Sequence, residues 1–131
     1  MTYYDKLHVE GEFEEVIGKT TDALSDEGFG ILSDIDVSNA FEKKLGIEDY
    51  PEYRILGACN PPLAKQGLDT ERDLGVLLPC NVVIYETDDS VVVSAVDPEA
   101  MLSVVDNPEM EDIASDVRTR FDRVLETLAD K

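Results

Sequence analysis

Apolar positions recur along this chain with two different periods, and the changes from one to the other divide it into short elements. Residues 2–9 read as a first strand. Phe13, Val16, Ile17, Thr20, Ala23 and Leu24 then recur at helical spacing on one face, and Gly28 ends that helix as its C-terminal cap. From Phe29 the period changes to two. Phe29, Ile31, Ile35 and Val37 fall on one side and Asp34 and Asp36 on the other, as in a half-buried strand. Ser38 is placed to cap a short helix that carries Ala40, Phe41 and Leu45 and closes at Gly46. Beyond Pro51, the alternation Tyr53, Ile55, Gly57, Cys59 marks another strand.

Asn60-Pro61-Pro62 pairs a side chain that accepts backbone N–H bonds with the preset dihedral of proline, so it opens a helix carrying Leu63, Ala64 and Leu68. After the apolar stretch Leu74 to Leu78 and the breaker Pro79, Cys80 to Glu86 and Ser90 to Val96 are both rich in β-branched residues. Asp88-Asp89 separates them, which predicts a hairpin. Asp97-Pro98 and Asn107-Pro108 repeat the cap-then-proline signature. The second opens a long helix over residues 108–129 with an apolar stripe of Met110, Ile113, Val117, Phe121, Val124, Leu125 and Leu128. About five strands and three to five helices result. The strands alternate too much in polarity to be buried on both faces of a parallel sheet. The pattern predicts an α+β two-layer sandwich: a mainly antiparallel sheet with helices on one face, the other face meeting solvent or a second copy. No linker, repeat or low-complexity tract interrupts residues 1–131, which read as a single domain.

Charge changes the picture. Thirty Asp and Glu face eleven Lys and Arg, a formal net charge of −19, yet 43% of the residues are hydrophobic, enough for a core. With no basic patch, phosphate backbones and anionic membrane surfaces repel the chain, so nucleic acid and membranes are excluded as partners. Dispersed carboxylates around an ordinary apolar core suit concentrated salt, where a Debye length of ~3 Å at 1 M suppresses self-repulsion, and point to a halophilic cytoplasm. An acidic mesophilic protein of high solubility is the alternative. No signal or membrane-spanning stretch is evident, and two cysteines are too few for a disulfide scaffold, so Cys59 and Cys80 are expected to be free thiols in a reducing cytosol.

The chemistry concentrates at those cysteines. Cys59 precedes a helix N-terminus, whose free N–H groups and dipole favour a thiolate; the competing reading is a small side chain filling a tight junction. Cys80 is likewise followed by asparagine, so the chain carries Cys-Asn twice, each at a strand boundary. If the two strands are neighbours, Cys59, Asn60, Cys80 and Asn81 converge on one pocket for a small molecule or a soft metal ion. The competing roles for Asn60 and Asn81 are a helix cap and a strand-edge hydrogen bonder. Zinc wants about four ligands, and the single histidine, His8, lies solvent-facing in the first strand, so a metal would need cysteines from both halves of a dimer. The cysteines lack Cys-x-x-Cys spacing, which argues against a redox dithiol. The carboxylates of Glu12 to Glu15 and Asp34 to Asp36 read as solvated faces, and Asp97 as a cap.

Three segments, Gly57-Ala58-Cys59-Asn60-Pro61-Pro62-Leu63-Ala64, Leu77-Leu78-Pro79-Cys80-Asn81-Val82 and Ser94-Ala95-Val96-Asp97-Pro98-Glu99-Ala100-Met101, together resemble one family, the domain of unknown function numbered 302. The resemblance extends from Phe29-Gly30-Ile31-Leu32 through Tyr53-Arg54-Ile55-Leu56 to Met101. It implies a two-layer α+β fold and a homodimer, without an agreed biochemical activity or cofactor. The leading expectation is a homodimeric small-molecule or metal binding module around the two Cys-Asn motifs. The alternatives are a thiol-dependent enzyme with Cys59 as nucleophile, and a structural or regulatory dimer that takes no ligand.

Overall fold

In the computed structural model, which describes residues 2–129, the strands are β1 (Tyr4–Val9), β2 (Gly30–Asp36), β3 (Tyr53–Cys59), β4 (Cys80–Glu86) and β5 (Val91–Val96). They form one antiparallel sheet in the order β1-β5-β4-β3-β2. The helices are α1 (Phe13–Asp26), α2 (Val37–Leu45), α3 (Pro61–Thr70), α4 (Pro98–Leu102) and α5 (Met110–Ala129), with a 3-10 turn over Arg72–Leu77. Strands β2 to β5 run as a meander that includes the expected hairpin, and α1 carries the chain from β1 at one edge to β2 at the other. The architecture is the α+β sandwich that the alternating strands predict.

Periodicity decides which side chains meet. Helix α1 buries all six of the positions that recur in its sequence, and α5 buries Met110, Ile113, Ala114, Val117, Phe121, Val124 and Leu128. Leu125 is only half-buried. These stripes lie against Leu56, Ala58, Val82, Ile84, Val91, Val93 and Ala95 on one face of the sheet. Full burial of a side chain such as Leu24 or Ile84 contributes about 1.5–3 kcal/mol. Phe29 and Phe121 close the core with ring centroids 5.0 Å apart.

Strand β2 departs from its expected pattern. Ile31 pairs with Ala58, but Ser33, not Leu32, pairs with the adjacent Gly57, so Leu32 is a bulge. One extra residue exchanges the two faces downstream. Ile35 is therefore on the uncovered face and 48% exposed, while Asp34 and Asp36 lie on the helix side, where the Arg54 guanidinium reaches both carboxylates and Glu14. Val37 begins α2 and does not continue the strand. The cap of α2 is Asp36, which accepts from the Asn39 N–H at 3.0 Å; Ser38 donates its hydroxyl to the same carboxylate at 2.9 Å. Asp97 caps α4, accepting from the N–H groups of Glu99 and Ala100.

No helix among the described residues is long and apolar enough to cross a membrane.

Candidate functional site: an apolar cavity with two sulfurs

Antiparallel pairing of β3 with β4 sets Ala58 opposite Cys80, which brings the two Cys-Asn dipeptides to the same end of the sheet. There the chain leaves β3 through Asn60 into α3 and enters β4 through the cis Leu78–Pro79 peptide. Between this corner, α3, α4 and α5 lies a cavity of about 340 Å³. Phe29, Leu63, Leu68, Leu74, Met101 and Val117 supply much of its wall. Gly67 allows the 3-10 turn to close against α3, since a Cβ there would sit 2.6 Å from a Leu74 methyl. Leu63, Ala64 and Leu68, the helical stripe of α3, all line this space and none of them is fully buried, while Leu63 and Leu68 also pack against the core.

Cys59, Asn60 and Cys80 all line the cavity. Asn81 does not. One residue further along β4, it points to the opposite, uncovered face of the sheet, in a central strand and not at a strand edge. There it borders a shallow depression of about 440 Å³ with Tyr4, Lys6, Tyr53 and Tyr85. The structure thus brings three of the four candidate side chains together. His8 is exposed on that uncovered face too, its Nδ1 2.9 Å from the Ser90 hydroxyl.

Each member of the trio has a distinct environment. Cys59 is half-exposed and, with the exposed Leu32, marks where the cavity reaches solvent. Cys80 is buried; burial, and secondarily the nearby Cys59, push its thiol up to about 11, so it is protonated at neutral pH. Asn60 is buried, with both ends of its carboxamide engaged. Its Oδ1 accepts from the Leu63 N–H and its Nδ2 donates to the Glu27 carbonyl, each at 3.4 Å. It caps α3 and ties that helix to the end of α1. Gly28, at φ +88, makes room for it: a Cβ there would lie 3.0 Å from Asn60 Nδ2.

No charged residue lines the cavity, although 31% of the chain is charged. A space of this size walled by aliphatic groups suits a small apolar molecule. Among the described residues, no group of three or more His, Cys, Asp or Glu side chains is arranged to hold a metal ion. The remaining wall residues, Phe29, Leu74 and Met101 above all, carry no chemical signature in the sequence. One signal did point to the place, though of these residues only to Met101: the three segments that carry the family resemblance all converge on the cavity, contributing Ala58, Cys59, Asn60, Leu63 and Ala64, then Leu78 to Cys80, and Pro98 with Met101.

An antiparallel five-stranded α+β sandwich with an uncharged cavity at one end of its sheet is the class these features define. Over residues 6–128 the chain matches the family described as "Domain of unknown function DUF302", and it belongs to that family. It is similar to the crystal structure of an uncharacterized conserved DUF302 protein from Bacillus stearothermophilus, with 25% identity and a TM-score of 0.90, over 98% of this chain and 99% of that one. No curated protein matches it.

Proposed function

We propose that the chain is a homodimeric binding domain of a salt-rich cytoplasm, whose cavity takes up a small, uncharged, largely apolar molecule beside Cys59 and Cys80. The observation that carries this reading is the convergence of the three family-like segments on one space without a charge, in a chain where almost a third of the residues are charged. A pocket of about 340 Å³ falls in the range, about 300–1,000 Å³, that small-molecule sites occupy. Apolar walls supply affinity through burial, and the thiols supply soft, polarisable contacts.

The small molecule is favoured over a soft metal ion. A metal would have to displace the proton of a thiol held near 11 by burial, and the described residues supply no third ligand beside the sulfurs. Asn60 serves the site by capping the helix that forms its wall, its carboxamide being engaged with backbone.

Native mass spectrometry and elemental analysis of protein purified from its own host in high salt test the reading. The expected result is a stoichiometric organic adduct that is lost in Ala64→Phe, which fills the cavity, and retained in Asn81→Ala. The reading is falsified if the adduct is a metal lost in Cys59→Ser and Cys80→Ser, or if the protein is bare and its thermal stability indifferent to a panel of small apolar probes.

A further inference from the structure

The five strands contain four carboxylates, Asp5, Asp34, Asp36 and Glu86, and the pairing registers put all four on the helix side of the sheet. The outward positions of every strand carry none, in a chain with thirty acidic residues among 131. Those positions hold instead Ile35, Tyr53, Ile55, Val83, Tyr85 and Val92 among others. Tyr53 and Tyr85 are stacked with ring centroids 5.4 Å apart, and Val92 is already sealed at 1% exposure.

Beside this face stands a lightly packed element. Helix α2 has nine residues, none of them fully buried; its last residue, Leu45, is exposed, as are Ile47 and Tyr50 in the segment after it. Isolated helices shorter than about 12–15 residues are marginal in water, and within one copy α2 rests on β3 with Val37, Ser38 and Phe41 only partly buried, so further cover would stabilise it. Phe41 packs edge-on against Tyr50 with centroids 4.8 Å apart. Tyr50 leads directly into β3, whose Tyr53 stands on the outward face, and α2 packs on that same strand, so the helix borders the outward face.

We infer that the carboxylate-free face of the sheet, flanked by α2 and Tyr50, is the surface on which two copies of this chain meet. Charge selects the occupant. Two chains of −19 repel wherever their carboxylates oppose each other, and this face is where they approach without that opposition. The same feature leaves little for a polyanion, since Lys6 is the one lysine or arginine on the outward strand positions. Size agrees. Five strands of six or seven residues present a plane of about 500 Å², and the relief of its tyrosines and of α2 raises the accessible area toward the ~800 Å² each partner gives a standard interface. A two-fold pairing is self-complementary, with tyrosines of each copy entering the depression of the other.

The inference rests on the dimer of the proposed function, and one experiment separates the two. Light scattering and native mass in 2 M KCl, at micromolar protein, are expected to give twice 14.5 kDa for the wild-type chain. Ile35→Glu with Tyr50→Glu changes two side chains that a single copy exposes and is expected to weaken dimerisation about a hundredfold or more. Val76→Glu with Val104→Glu, exposed apolar positions away from this face, should leave the dimer intact. A dimer that survives the first pair overturns the assigned face while the dimer stands. A wild-type chain that stays monomeric overturns both, and frees the face for a small aromatic ligand or another protein. Hydrogen exchange on the wild type guards against misfolded variants. Amides of residues 38–45 should become protected as concentration rises, and protection that does not change with concentration overturns the inference.

Discussion

Cys59-Asn60 and Cys80-Asn81 are the same dipeptide, yet the fold gives their members opposite places. In the first, the cysteine is half-exposed and the asparagine is buried as a helix cap; in the second, the cysteine is buried and the asparagine stands in solvent on the other face. The difference comes from the residues on the C-terminal side of each pair. Pro61 turns the chain into a helix directly after Asn60, so the carboxamide folds back onto backbone. Asn81 continues a strand, so strict alternation sends it to the face opposite Cys80. A shared motif therefore predicts shared chemistry only when the elements on both sides of it match.

Three measurements sharpen that contrast. The largest expected effect is in alkali. Burial raises the Cys80 thiol from 9.0 to about 11, so the folded state holds this proton more tightly than the unfolded chain. The stability linked to it is fully present below pH 9 and is lost as pH rises to about 11. Relative to Cys80→Ala, the wild type should lose about 2–3 kcal/mol across that window in urea titrations. A difference independent of pH would show that Cys80 is hydrated.

Next, Cys80→Ser places a hydroxyl in an apolar wall and should cost about 1–3 kcal/mol in chemical denaturation. Cys59→Ser, at the half-exposed position, should remain within about 0.5 kcal/mol. Equal costs would mean that the two sulfurs share one environment. Smallest is the asparagine pair. Asn60→Ala removes a cap and should cost about 0.5–2 kcal/mol in thermal melts, whereas Asn81→Ala should be nearly neutral. A reversed order would put the structural role on the wrong asparagine.

Much of the fold is legible because it rests on local period. The stripe of α5, the six buried positions of α1 and the β4–β5 hairpin each follow from spacing within a single segment, and the caps Asn60 and Asp97 from residue type and a following proline. Strand β2 is not legible in the same way. Nothing in Ile31-Leu32-Ser33 announces a bulge, because the extra residue is set by pairing with Ala58 and Gly57 in β3. The apolar and acidic faces beyond it are exchanged as a result. The cavity is hidden for a related reason. Leu63, Leu68 and Met101 have the composition of core, and only their arrangement leaves a space between them.

Cations are scarce enough that the fold shares them. Arg54 alone faces Glu14, Asp34 and Asp36, tying α1 to the edge strand, and Arg118 alone faces Asp5, Asp97, Glu99 and Asp122, tying α5 to β1 and α4. Tolerance to substitution is accordingly lopsided. Any one of those seven acids can be exchanged and its arginine keeps at least two counterions, so as counterions the acidic positions are largely redundant, although Asp36 and Asp97 also cap helices. Loss of either arginine leaves three or four carboxylates confronting one another with nothing between them but dissolved salt.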